Sequence, residues 1–122
     1  MARLKVTIHE LRNQKGEVCL ALFESEIGFP KDEQKAVFNR CFAITQIPLT
    51  VSVEVPYGSY SVSLLHDENQ DGELNTNFIG VPQEGIGFSN DPRIIKGTPS
   101  FEKTRFDFSA DSEEVQVTVK YL

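Results

Sequence analysis

The sequence predicts an all-β fold, an antiparallel sandwich of two sheets with about seven strands. Three observations predict it. Apolar and polar residues alternate with period two in segment after segment, glycine and proline punctuate the gaps, and only one short stretch carries a helical signature. With 122 residues, 39% of them hydrophobic and 25% charged, the chain has enough apolar material for one packed domain over residues 1–122.

The strands follow in order. In LKVTIHEL, Leu4, Val6 and Ile8 share one face while Lys5, Thr7 and His9 share the other. EVCLALF is apolar on both faces, which suits a central strand. LTVSVEV turns Leu49, Val51, Val53 and Val55 inward, with Thr50, Ser52 and Glu54 outward. YSVSLL follows the turn PYGS and runs directly into His66 and Asp67. RFDFS points Phe106 and Phe108 the same way, and EVQVTVKY aligns Val115, Val117, Val119 and Tyr121. Short strands in this number fit an immunoglobulin-like or prealbumin-like sandwich.

Two segments stand apart. PKDEQKAVFNR, near residues 30–40, is the helical candidate, with Pro30 near its start and acids before bases. From His66 to about Ser100 no strand pair is evident and glycines and prolines recur. Structureless stretches beyond about 12–15 residues are uncommon in compact domains unless functional or disordered. Phe78, Ile79, Val81, Ile86 and Phe88 supply apolar anchors, so a long ordered loop is expected over residues 66–100.

The formal charge is −6, and its placement is uneven. Between Arg40 and Arg93 there is no lysine or arginine, while Glu54, Asp67, Glu68, Asp71, Glu73, Glu84 and Asp91 fall in that stretch. An acidic region of this kind attracts cations or basic partners. It argues against nucleic acid, which calls for a basic face.

Within it, Asp67, Asn69 and Asp71 are spaced i, i+2, i+4 and are followed by Gly72. A tight turn brings three such side-chain oxygens toward one point, and the carbonyl of Glu73 can add a fourth. Calcium takes six to eight oxygens from carboxylate, amide and carbonyl groups alike, and D-x-[DN]-x-[DN]-G is the first half of the calcium-loop pattern. The second half is missing: Phe78 stands where a bidentate glutamate is required, and no helical periodicity flanks the loop. This is not an EF-hand. Further oxygens would come from Asn75, Asn77 or Glu84. The competing reading is that Asp67, Asn69 and Asp71 form Asx turns that cap backbone amides without metal.

Catalytic signals are sparse. His9 lies on the polar face of the first strand. His66 stands at a strand exit beside Asp67, where a carboxylate-oriented base is imaginable, yet no nucleophile motif accompanies it. A histidine that fixes the acidic loop by hydrogen bonds is the simpler expectation. Cys19 and Cys41 each sit beside apolar residues, which favours two buried thiols over a disulfide.

MARLKVTIHEL lacks the unbroken apolar core of a signal peptide, and no apolar run approaches the ~20 residues of a membrane-spanning helix. These residues leave open whether the protein is cytoplasmic or follows a removed leader.

The run YGSYSVSLLHDENQDGELNTNFIGVPQEGIGFSND, with PSFEKTRFDF behind it, resembles a bacterial domain family of unknown function. Its hallmark has the form HDxNxDGxLxxNxxGxPxEGxGFSN. The match takes in His66, Asp67, Asn69, Asp71, Gly72, Leu74, Asn77 and Gly80, then Pro82, Glu84, Gly85, Gly87, Phe88, Ser89 and Asn90. The resemblance implies a prealbumin-like or immunoglobulin-like sandwich, export to the periplasm, and membership of Glu84 in the acidic loop. It implies no reaction.

The expected function is a non-enzymatic binding or structural module for an unidentified protein or small molecule. Its working surface is the 66–100 loop, with calcium organising residues 66–84. The alternatives are a hydrolase-like enzyme using His66 with Asp67 or Glu84, and an adhesion domain whose loop serves stability.

Overall fold

A computed structural model describes residues 2–30, 32–67, 85–91 and 99–121. Among them, strands β1 (Ala2–His9), β4 (Leu49–Val55) and β8 (Glu114–Thr118) form one sheet in the order β4-β1-β8. Strands β2 (Glu17–Phe23), β3 (Phe38–Ala43), β5 (Gly58–Asp67) and β6 (Gly85–Phe88) form the other in the order β3-β2-β5-β6. The short β7 (Phe106–Phe108) pairs with the start of β5. The architecture is a β-sandwich.

The alternation read from the sequence is the alternation of burial. Leu4, Val6 and Ile8 of β1 are fully buried, and β4 is buried at every second residue. Val18, Leu20, Leu22, Val62 and Leu64 face them from the other sheet. Each such side chain contributes about 1.5–3 kcal/mol when taken out of water. β2 lies between β3 and β5, the central place its two-sided apolarity predicts.

Three features differ from the expectation. First, β1 pairs antiparallel with β4 but parallel with β8, with Val6 opposite Val115 and Ile8 opposite Val117. Alternation records which face a residue occupies and carries no strand direction.

Second, residues 30–40 contain one 3-10 turn, Glu33–Lys35, in place of a longer helix. Val37 N donates to the carbonyl of Leu22 at 2.8 Å, and β3 begins at the next residue. Pairing with β2 therefore overrides the local charge pattern. Among the described residues the α-helical turn is α1 (Phe101–Thr104), where the Ser100 hydroxyl accepts from Lys103 N as N-cap.

Third, the stretch from 66 to 100 is not one loop, because β6 falls inside it. Gly85 and Gly87 weaken the strand signal in GIGF, and packing explains them. A Cβ at Gly85 would lie 2.5 Å from Val119 Cγ1 and from Tyr121 Cε2, and one at Gly87 would lie 2.8 Å from Val117 Cγ1. The missing side chains let the two sheets meet. Ile86 N donates to Lys120 O at 3.0 Å and Lys120 N to Ile86 O at 2.7 Å, which joins the sheets along this edge.

A second apolar cluster covers the outer face of the larger sheet. Phe29 packs against Phe23, Phe88 and Phe101 with ring centroids 5.4, 6.0 and 5.9 Å away. Ser63 Oγ donates to Pro30 O and Ser61 Oγ to Phe101 O, each at 3.1 Å, which ties both covering segments to β5.

Candidate functional site

β5 ends at Asp67 and β6 begins at Gly85, and His66 is the strand partner of Gly85. The acidic segment therefore leaves and re-enters the sheet at neighbouring positions. Of the proposed ligands, Asp67 lies in the described part, whereas Asn69, Asp71, Glu73, Asn75, Asn77 and Glu84 lie outside the described residues.

Successive strand residues point to opposite faces, and this separates His66 from Asp67. Asp67 is buried on the outer face, opposite Glu17 of β2. His66 points between the sheets and is fully buried. Its Nε2 lies 2.8 Å from the carbonyl of Lys15, and its Nδ1 lies 2.7 Å from the Tyr121 hydroxyl. A carbonyl can only accept, so Nε2 carries the proton; in the neutral ring Nδ1 then accepts from Tyr121. The same hydroxyl accepts from Arg12 N at 3.1 Å, and the Arg12 guanidinium lies 4.4 Å over the Tyr121 ring.

This geometry revises two expectations. Asp67 does not orient His66, because the two side chains occupy opposite faces of β5. The hydrogen bonds of the imidazole run to the β1–β2 connection and the C-terminal segment, not into the acidic loop. His66 stands as a core-edge residue with both nitrogens engaged. Nothing in the sequence marks Tyr121 and Lys15 as its partners; 55 residues separate His66 from Tyr121 along the chain.

The residues after β6 act as clamps. Ser89 is fully buried; its Oγ accepts from Val62 N at 2.9 Å and donates to Thr104 O. Asn90, at φ 67°, donates through Nδ2 to the carbonyls of Lys103 and Arg105. Asp91 Oδ1 accepts from Thr118 N at 2.6 Å, and its Oδ2 from the Thr118 hydroxyl at 3.1 Å. One short turn thus fixes β5, α1 and β8. An open groove of about 540 Å³ lies beside it, lined in part by Asp91, Asp107 and Glu114. Each of these acids has a hydrogen-bond partner: Thr118 for Asp91, Ser59 for Asp107, and Thr7 for Glu114.

The cysteines are paired. Cys19 and Cys41 are directly opposite on β2 and β3 and form a disulfide, with Cα atoms 3.9 Å apart. The expectation of two buried thiols fails because Cys19 alternates with the core residues Val18 and Leu20 and so faces outward. Cys41, on an edge strand, is exposed.

The fold and the clamped turn after β6 define a β-sandwich domain closed by its own C-terminal segment. Residues 6–116 match the family described as "Uncharacterized protein conserved in bacteria (DUF2141)", and the chain belongs to that family. No curated protein and no solved structure matches it. Among the described residues, no helix is long and apolar enough to cross a membrane.

Proposed function

We propose that the chain is a single-domain β-sandwich binding module, with the acidic segment between β5 and β6 as its functional surface and a calcium ion as its organiser. The observation that carries this reading is the pairing of His66 with Gly85. In the sequence Asp67 follows His66 and Glu84 precedes Gly85, so the two described residues that flank the motif's first and last acids are partners on one ladder. That pairing supports Glu84 as the distal carboxylate of a calcium pattern whose second half is missing.

Asp67, Asn69 and Asp71 supply side-chain oxygens and Glu73 a carbonyl, while Asn75, Asn77 and Glu84 complete the shell. The disulfide supports export to an oxidising compartment such as the periplasm, since such bonds persist there and are rare in the cytosol. The ligand of the module is an unidentified protein or small molecule.

Calorimetric titration of the chelator-treated protein with calcium tests the reading. The expected result is one ion per chain, with binding weakened at least about tenfold in Asp71→Ala, which loses a direct carboxylate ligand. No heat beyond dilution would leave Asx turns as the account of this segment.

A further inference from the structure

The outer face of the larger sheet carries three metal-ligating groups outside the acidic segment. Glu17 and Cys19 are two residues apart on β2 and share that face, and Cys41 lies directly opposite Cys19 on β3. The carboxylate oxygen of Glu17 and the two sulfurs all lie within 4.8 Å of one another. In the oxidised chain the sulfurs are bonded to each other and offer no thiolate.

We propose that reduction of the Cys19–Cys41 bond uncovers a binding site for a thiophilic divalent cation, zinc above all, with Cys19, Cys41 and Glu17 as ligands. The proposal is independent of the calcium reading, because its atoms and its metal class are different.

The chemistry balances with a dithiol as reductant. The dithiol gives two electrons and two protons, the Sγ–Sγ bond breaks, two cysteine thiols form, and the donor becomes a disulfide. Metal binding then releases the two thiol protons, because thiolate is the ligand. Two Zn–S bonds of about 2.3 Å at a tetrahedral angle place the sulfurs about 3.8 Å apart. Strand pairing keeps Cys19 and Cys41 directly opposite each other when the bond is gone, with Cα atoms about 4.5–5.5 Å apart, so both side chains stay within that reach. Thiolates select zinc over calcium and magnesium, and water fills the fourth position. Cys41 is exposed, so both reductant and metal have access. The reverse exchange with a small-molecule disulfide, which takes the two electrons and two protons and becomes a dithiol, re-forms the Sγ–Sγ bond and releases the ion.

Cobalt(II), a spectroscopic substitute for zinc, provides the test on the whole chain. The dithiol-reduced protein, freed of excess reductant under anaerobic conditions, is expected to bind one cobalt with a sulfur-to-metal charge-transfer band, and zinc should displace it. The oxidised protein should show no such band. Substitution of outer-sphere partners already weakens metal sites about 10–100-fold, so Glu17→Gln should weaken cobalt binding by at least about tenfold. Cys19→Ser/Cys41→Ser, which folds or fails independently of redox state, should show no band. Absence of the band in the reduced chain overturns the proposal, as does unchanged affinity in Glu17→Gln. Loss of β-sheet circular dichroism on reduction, with no recovery when zinc is added, overturns it equally.

Discussion

The hydroxyl of Tyr121 and Nδ1 of His66 share a hydrogen bond of 2.7 Å, joining the C-terminal segment to the end of β5. Because His66 is fully buried, this bond is the internal partner of a ring nitrogen that water cannot reach. Tyr121→Phe should cost about 1–3 kcal/mol, since it removes the hydrogen-bond partner of Nδ1 and the acceptor of Arg12 N. Urea unfolding measures it. A change below about 0.5 kcal/mol would place the variant among ordinary surface substitutions and would remove His66 from the account of stability.

The glycines of β6 make a graded prediction. Gly85→Ala and Gly87→Ala force a methyl against Val119, Tyr121 and Val117, and overpacking of this kind costs about 1–3 kcal/mol. Gly58→Ala is the control. Its Cβ would meet Tyr60 at an ordinary 3.5 Å, and it should stay within about 0.5 kcal/mol of wild type. Equal effects at all three positions would contradict the close approach of the sheets.

Ser89 is the hinge pin of the post-β6 turn. Ser89→Ala deprives Val62 N of its acceptor and Thr104 O of its donor inside the fold, and about 1–3 kcal/mol should be lost. Amide hydrogen exchange at Val62 reports the same event locally: protection there should fall more than at Leu4 in the distant sheet.

Two tyrosines should titrate late. The hydrogen bond to Glu113 raises the pKa of Tyr57 above its ordinary 10.0, aided by desolvation and the Glu113 charge. Desolvation raises that of Tyr60, with a smaller push from Glu24. Above pH 10 the folded chain holds phenolic protons that the unfolded chain gives up, so this contribution to stability is present below pH 10 and is lost as pH rises through the raised values. Ultraviolet titration of the phenolates should show Glu113→Gln bringing Tyr57 back toward 10. An unmoved titration curve would contradict the pairing.

Most of the sandwich was legible because one face of each strand packs into a single core. Leu4, Val6 and Ile8, or Val51 and Val53, state their face in the sequence itself. What escaped depends on partners far along the chain. GIGF reads as loop because its glycines answer to Val117, Val119 and Tyr121, and Cys19 reads as a core residue until strand register sets it opposite Cys41. Of the candidate ligands, Asp67 lies among the described residues, and strand register sets it opposite Glu17 on the outer face, which alternation alone could not specify.

Calcium dependence of the melting temperature tests the central claim most directly. An ion bound only by the folded chain adds RT ln(1 + [L]/Kd), about 2.7 kcal/mol at a hundredfold excess over Kd, or several degrees in a domain of this size. Magnesium should add less, since it holds its water and prefers six tight octahedral oxygens. The account predicts a rise with calcium over chelator that Asp71→Ala abolishes. Identical melting of the wild-type chain in calcium and in chelator would contradict it.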